Sequence, residues 1–482
     1  MIVADPAVRP QSSSALPAAP PSLTERLATA LVSLRPGDLD PMTIADAKRF
    51  VLDWLASALG GTATPVGHML IAEGQSRGGG LCAVLGVDPG RDAEVAALVN
   101  GGLSHIIEMD DLDRASVVHP GTVVIPAALA AAEETGADGL AFLTSVAVGY
   151  EAALRVGAAV GRSHYAYWQN TATCGVFGAA AAAGHLLGLS PEAMTWAFGN
   201  AGSVAGGLWQ FNHDGAMTKH LHAGRAAANG LLAARLAARG FTGARAILEG
   251  PQGFFAAMSD DADPPLVVAG LNTLGATTPW KIGGVSIKPH ASCRHTHPAI
   301  DAALALRPQL GDSPSAAIAR VHVATYGTAL AITDAPAPRH PYQAKFSLQY
   351  TVAHALRYGR VGLHDFGPDR LTDPDLHALM TRVVLTVDPA LDAAYPQTWG
   401  ARVTIESIDG AMRVATVDAP KGDPDNPLTL PELATKLEDI IAGTAFANQA
   451  GSILTSVDGL DRRPAMTGFL PRPNASRSGR GQ

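Results

Sequence analysis

Long runs of Ala, Gly, Val and Leu that carry almost no charge constrain this chain more than any other feature. Gly175 to Leu187 and Ala223 to Arg239 are apolar nearly all round, so as helices they belong inside a bundle rather than on a surface. Ala-rich faces let such helices approach one another closely. Of the 482 residues, 47% are hydrophobic and only 16% charged, enough to bury a large core. A chain of this length predicts two domains, or one large domain with an insert.

The texture along the chain supports the second form. Ser22-Leu-Thr-Glu25 has the pattern of a capping box, in which serine and glutamate satisfy each other's free amides. Thr43 to Leu59 carries apolar residues at helical spacing and stops at Gly60-Gly61, and Ser190-Pro191-Glu192 starts another helix. After Asp263-Pro-Pro the pattern changes. Val285 to Lys288, Arg320 to Tyr326, Arg382 to Val387 and Arg402 to Ile408 alternate as strands do, and Asp409-Gly410 before Met412 to Val417 suggests a hairpin. His297 to Leu306 and Lys345 to Tyr358 read as helices between them, and helical texture returns from Leu430 to about Leu460. The expected fold is mainly α with an α+β insert. Its divisions are a disordered leader over 1–22, a helical domain over 23–268, an α+β lid over 269–422, helices over 423–462 that complete the first domain, and a disordered tail over 463–482.

Composition excludes several classes of function. With 35 basic and 43 acidic residues and a net charge of -8, the chain lacks the electrostatic footprint of a nucleic-acid binder. Cys82, Cys174 and Cys293 form no C-x-x-C pair, which argues against a disulfide framework, a structural zinc or an iron-sulfur cluster and makes a reducing cytoplasm the expected setting. No secretory signal and no uninterrupted apolar run of about 18 residues is present, so no membrane association is expected. Phosphate loops, nucleophile elbows and dinucleotide fingerprints are also absent from strand-to-helix junctions, and no cofactor is expected.

Against this background, polar islands stand out as candidate chemistry. Leu103 to Gly121 holds His105, His119, four carboxylates and Arg114, and histidine titrates near neutrality. His164 to Gly175 contains Gln169 and Thr171 at the start of a core helix, where free amides favour an anion. Trp209 to His222 contains Lys219, the only lysine between Lys48 and Lys281. Lys288, His290, Arg294, His295 and His297 crowd Ile287 to Pro298, and Tyr342 and Lys345 lie in Arg339 to Tyr350. Cations in this number suit carboxylates. The pairs His220-x-His222 and His295-x-His297 leave a metal-dependent hydratase as an alternative, although Cys293 completes no zinc pattern.

The islands, in their order, resemble the MmgE/PrpD family, which includes 2-methylcitrate dehydratase, cis-aconitate decarboxylase and iminodisuccinate epimerase. The matching pieces are His105-Ile-Ile-Glu-Met-Asp-Asp with His119-Pro, Thr171-Ala-Thr-Cys-Gly-Val-Phe-Gly, Gly206-Gly-Leu with Thr218-Lys-His-Leu-His, Lys288-Pro with Cys293-Arg-His-Thr-His-Pro, and Ala344-Lys-Phe-Ser-Leu-Gln-Tyr. The resemblance implies a helical domain built from both chain ends, an α+β lid between them, a homodimer and a cofactor-free site at the domain junction. It implies small polycarboxylate substrates, and places His119, Lys219 and Lys288 at active-site positions. Glu108 falls where an aspartate is usual, Leu112 where a threonine is frequent and Gln169 where many members have a histidine.

Removing a proton beside a carboxylate builds up negative charge that fixed cations must stabilise. The residues supply that set: His119 as the base, with Glu108, Asp110 or Asp111 holding its ring, and Lys219 as a catalytic cation. Lys288, Arg294, His295, Gln169, Thr171, His105 and Tyr342 are expected to bind substrate, with no metal. The expected activity is a lyase or isomerase acting on a di- or tricarboxylate, foremost a 2-methylcitrate-type dehydratase. The alternatives are an epimerase, a cis-aconitate-type decarboxylase, or a catalytically silent carboxylate-binding protein.

Overall fold

The computed structural model describes residues 20–311 and 314–474. The expected leader over 1–19 and the end of the expected tail, 475–482, lie outside the described residues. Ser22 caps the first helix, Leu23–Ser33, through the capping box with Glu25. Residues 463–474 are not a loose tail: Met466 is fully buried, Phe469 and Leu470 are nearly so, and Arg463 accepts a backbone hydrogen bond from Gly139. Apolar side chains within the Pro- and Gly-rich end give it something to bury, which composition alone did not convey.

The large domain is a bundle whose central members are those the uncharged runs predict. Thr218–Ala238 packs on Ala93–Ser104, Gly175–Leu186 and Pro191–Ser203, while Gly139–Ala159 packs on Gly175–Leu186. Glycine allows this approach: a Cβ on Gly178 would lie 2.6 Å from the carbonyl oxygen of Gly149 on the facing helix. The C-terminal helices Leu430–Ile441 and Ala450–Asp458 return to pack against Pro41–Gly61. Lys436 seals that return by pairing with the buried Asp53 and donating to the Met109 carbonyl at 2.7 Å.

Two local expectations change. Within the region read as wholly helical, β1 (Gly79–Val84) and β2 (Val87–Arg91) form an antiparallel hairpin; its glycines and proline read as breakers rather than as strand. Val285 to Lys288 is no strand, because it makes a single bridge, Ser286 with Leu112, and one further backbone hydrogen bond to a distant segment, from Ile287 N–H to the Gly422 carbonyl. One helix, Gly139–Ala159, is long and apolar enough to cross a membrane by length and composition, and 89% of its apolar window is buried within the fold.

In the insert, β3 (Ile318–Thr325), β4 (Val383–Val387), β5 (Ala401–Ser407) and β6 (Met412–Val417) form one sheet in the order β4-β3-β5-β6. The β3 and β4 strands are parallel and the other neighbours antiparallel. A parallel pair needs a crossover, supplied here by a connection that contains Leu348–Tyr358. Val321, Val323, Val403 and Ile405 are buried on one sheet face, following the period of two, and His297–Leu306 covers that face. This packing fixes His297–Leu306 at the domain junction, immediately after Lys288 and Arg294.

Candidate active site

The Ala93–Ser104 helix stops at His105, and the chain then turns repeatedly before Gly121–Thr135 begins. Two residues of this loop adopt the left-handed region, Glu108 with φ 62° and Val117 with φ 53°. Non-glycine residues rarely do so, β-branched ones least of all, and such strain collects at functional sites. The loop is held against the insert by the Leu112–Ser286 bridge. Residues far apart in sequence thereby line one cavity of about 290 Å³: Glu108, His119, Gln169 and Lys219 from the bundle, Lys288 and Tyr342 from the insert.

Glu108 lies between two ammonium groups. Lys219 pairs with its Oε1 and Lys288 lies 3.4 Å from its Oε2. Burial would raise the Glu108 carboxyl, but the two lysines outweigh it and hold the group well below the usual carboxylate range. The triad is almost dry, with side-chain exposures of 4%, 9% and 2% for Glu108, Lys219 and Lys288. Charges in such surroundings interact far more strongly than in water.

Behind this triad, Asp110 Oδ2 lies 2.7 Å from His105 Nδ1 and 2.8 Å from His119 Nδ1. His105 makes an aligned hydrogen bond, whereas His119 sits off the ideal direction. Burial opposes ionisation of Asp110, but the two rings and Lys288 win and keep it a carboxylate. His119 is lowered from 6.5 by burial, with Asp110 opposing. Its Nδ1 is buried, so the edge bearing Nε2 is the one the cavity can reach.

The Gln169 side chain ties this arrangement to a third histidine. Its Oε1 accepts from His222 Nδ1 at 2.7 Å, and its Nε2 lies 3.1 Å from His105 Nε2. An amide nitrogen has only protons to offer; His105 Nε2 must therefore accept and Nδ1 must carry the proton given to Asp110. Burial drives the His105 pKa to about 3, consistent with a neutral ring. Thr171 Oγ1 accepts the backbone N–H of His119 at 3.1 Å.

Not every expected residue reaches the cavity. Asp111 is turned away, accepting from the Tyr150 hydroxyl at 2.7 Å and from Gly121 N at 3.1 Å. It anchors the start of Gly121–Thr135, the opposite direction from Asp110 in the same acidic run. His105 is fully buried behind His119 and can bind no substrate directly. Arg294 lines the cavity, but its two terminal nitrogens are taken up by Asp423, the Lys421 carbonyl and His297, leaving Nε buried without a partner. His295 also lines it as an uncharged ring: burial, with Arg294 and Lys288 adding to it, lowers its pKa to about 3. Tyr342 reaches the cavity wall and donates to Asn212 Oδ1 at 3.3 Å across the domain junction.

Other residues now join the site. Lys345 donates to the Ile107 carbonyl at 2.7 Å directly beneath the strained loop, and burial lowers its pKa to about 8 against the pull of Glu108. Trp399, Trp209, Ile332 and Phe346 complete the walls. Lys345 was visible in a polar island, whereas Ile332 and Trp399 gave no signal, since apolar residues look alike wherever they end up.

The two His-x-His pairs do not make metal sites. His220 contacts the His105 carbonyl, His222 Gln169, His295 Tyr326 and His297 Arg294. A different set, His105, Asp110 and His119, brings three ligand atoms within 4.8 Å of one another. That set could hold a cation; His105 and Asp110 already share a proton there, while His119 Nδ1 and Asp110 Oδ1 make no hydrogen bond.

The fold and site define a two-domain enzyme-like architecture with a carboxylate-and-lysine pocket at its junction. The MmgE/PrpD N-terminal domain matches residues 25–267 and the MmgE/PrpD C-terminal domain residues 290–462, and the chain belongs to this family. It is 28% identical over 459 residues to the cis-aconitate decarboxylase-like protein oryM of Aspergillus oryzae, covering 91% of this chain and 95% of that protein. Human cis-aconitate decarboxylase is 27% identical over 435 residues, 86% of this chain and 87% of its own. The 2-methylcitrate dehydratase of Salmonella typhimurium is 30% identical over 124 residues, only 24% of this chain and 26% of that protein.

Proposed function

We propose that this chain is a cofactor-independent lyase that moves a proton at the carbon next to a carboxylate of a small di- or tricarboxylate. The observation that carries the reading is the cavity itself, where Lys219 and Lys288 flank Glu108 while His119, backed by Asp110, faces the same space. Substrate carboxylate binds to the two ammonium groups, sharing them with Glu108. His119 exchanges a proton through Nε2 while Asp110 steadies the cation that forms. Negative charge developing on the substrate meets ammonium groups already fixed in a dry site, so little reorganisation is needed.

Dehydration and decarboxylation both fit this machinery. The first begins by removing a proton beside a carboxylate, and the second, for an unsaturated acid such as cis-aconitate, leaves a dienolate when carbon dioxide departs and ends by adding a proton beside a remaining carboxylate. Decarboxylation is the reading to test first, because relatives aligned over most of the chain bear that name and the dehydratase match covers a quarter of it. Proton NMR in heavy water with cis-aconitate, citrate and 2-methylcitrate distinguishes the outcomes. Decarboxylation of cis-aconitate yields deuterium at the carbon beside a remaining carboxylate, and His119→Ala lowers turnover by about 10²- to 10⁴-fold, the usual contribution of a general acid or base. Unchanged substrates throughout, or undiminished turnover in the variant, would overturn the reading.

A further inference from the structure

The cavity has two chemically distinct walls. Glu108, His119, Lys219 and Lys288 gather its charge on one; Leu112, Val117, Ile332, Phe346 and Trp399 form the other. The second wall is continuous in depth, since Leu112 and Trp399 belong with Tyr326 and Ala329 to a separate apolar cluster on which Val117 packs. His295 is stacked on Trp399 with ring centroids 4.4 Å apart and a 5° interplanar angle, and its Nδ1 is engaged by the Tyr326 hydroxyl at 2.7 Å. Arg294 is committed to Asp423.

The apolar wall also leads somewhere. Ile332 is 41% exposed, at the mouth. From there a second depression continues outward, sharing Ile332, Phe346, Tyr342, Asn212 and His213 with the cavity and lined further by Ala331, Ala335 and Pro336 and by the polar Asp214, His340 and Gln343. A fully charged small metabolite would leave the apolar wall in contact with water only.

We propose that the substrate is a carboxylate bearing an aliphatic arm, its charged head on Lys219 and Lys288 and its arm along Leu112, Trp399 and Ile332 toward the Ala331–Pro336 depression. This rests on the carboxylate-binding reading above and names its substrate class. Opposite polarity of the two walls fixes one orientation, because turning the molecule round would bury carboxylates on tryptophan and leave an alkyl chain among ammonium groups.

Titration calorimetry with succinate and its methyl, butyl and hexyl derivatives, which cannot lose water, tests the arm apart from turnover. Affinity is expected to rise about threefold to fourfold for each methylene buried, the transfer value for a CH₂ group. In Ile332→Asn, a change at the exposed mouth, the slope with chain length should fall markedly. Binding of succinate with a flat or inverted slope, or an unaltered slope in the variant, overturns the arm and leaves the carboxylate head standing. Failure of every member to bind overturns both readings. As a second readout, turnover of 2-butylcitrate or its dehydrated form should exceed that of the unsubstituted compound in kcat/KM; the reverse order counts against the proposal.

Discussion

Gln169 Nε2 lies 3.1 Å from His105 Nε2, and this single contact decides which nitrogen of the ring carries the proton facing Asp110. Gln169 contributes no acid or base, so it is a positioning residue acting through His105 and Asp110 on His119. Replacing it by leucine strands His105 Nε2 and His222 Nδ1 without partners. An unmade buried hydrogen bond costs about 1–3 kcal/mol, and kcat/KM should fall by roughly 5- to 150-fold on that basis. Gln169→Glu gives a sharper test, since an anion beside Nε2 favours the charged ring. NMR titration should find His105 shifted up from about 3 toward neutrality; an unmoved His105 would refute the contact.

The Lys219–Glu108–Lys288 triad makes an opposite-signed pair of effects testable in one variant. Glu108→Gln removes the anion that competes with substrate for both ammonium groups, so a bound dicarboxylate such as succinate should bind more tightly. The same change leaves two nearly buried cations without a counterion. Removing one partner of a buried pair destabilises by about 3–5 kcal/mol, and the melting temperature should drop. Weaker succinate binding with an unchanged melting temperature would show that Glu108 does not hold the lysines.

How much of this was legible beforehand differs by residue. The uncharged runs fixed the interior helices because burial on all sides leaves no place for polar residues, and the Ser22 capping box and the Ser190-Pro191 helix start marked boundaries for a similar local reason. The hairpin at β1 and β2 escaped because Gly79, Gly80, Pro89 and Gly90 are turn formers by propensity, and only packing on the Ala93–Ser104 helix makes them strand. Asp110 and Asp111 are adjacent and chemically identical, and their opposite fates depend on which way each points from an irregular loop, which no spacing encodes. His295 looked like a cation because charge is assigned by residue type; burial, with Arg294 and Lys288 close by, makes it an uncharged ring stacked on Trp399, more than 100 positions away.

Gly178 tests whether the close crossing in the bundle carries the site. A Cβ there would meet the Gly149 carbonyl oxygen at 2.6 Å and the Ala153 Cβ at 2.8 Å. Backbone cannot move aside as a flexible side chain can, so Gly178→Ala should destabilise by about 1–3 kcal/mol, the usual cost of overpacking. The same helix is preceded directly by Gln169 and Thr171. A displaced helix would therefore lower kcat/KM as well as the denaturation midpoint, whereas a variant as stable as the parent would show the crossing to be loose.

Two titrations should bound the pH dependence of kcat/KM. For proton abstraction His119 must be neutral, and burial places its pKa below 6.5, so the acid limb should lie below that value and activity should fall as pH drops through it; a decarboxylation that draws its final proton from the charged ring should instead gain activity as pH drops there. Lys345 loses its proton as pH rises through about 8. That removes a positive charge acting on Glu108 and on any carboxylate beside it. The basic limb should therefore appear in KM rather than in kcat, since the proton-transfer group is already neutral there. Lys345→Met removes the titration altogether: its KM should be raised at neutral pH and should no longer climb between pH values of about 7 and 9. A basic limb that survives in Lys345→Met, or one confined to kcat in the parent, would assign that limb to another group and leave Lys345 with a purely structural part in holding Ile107.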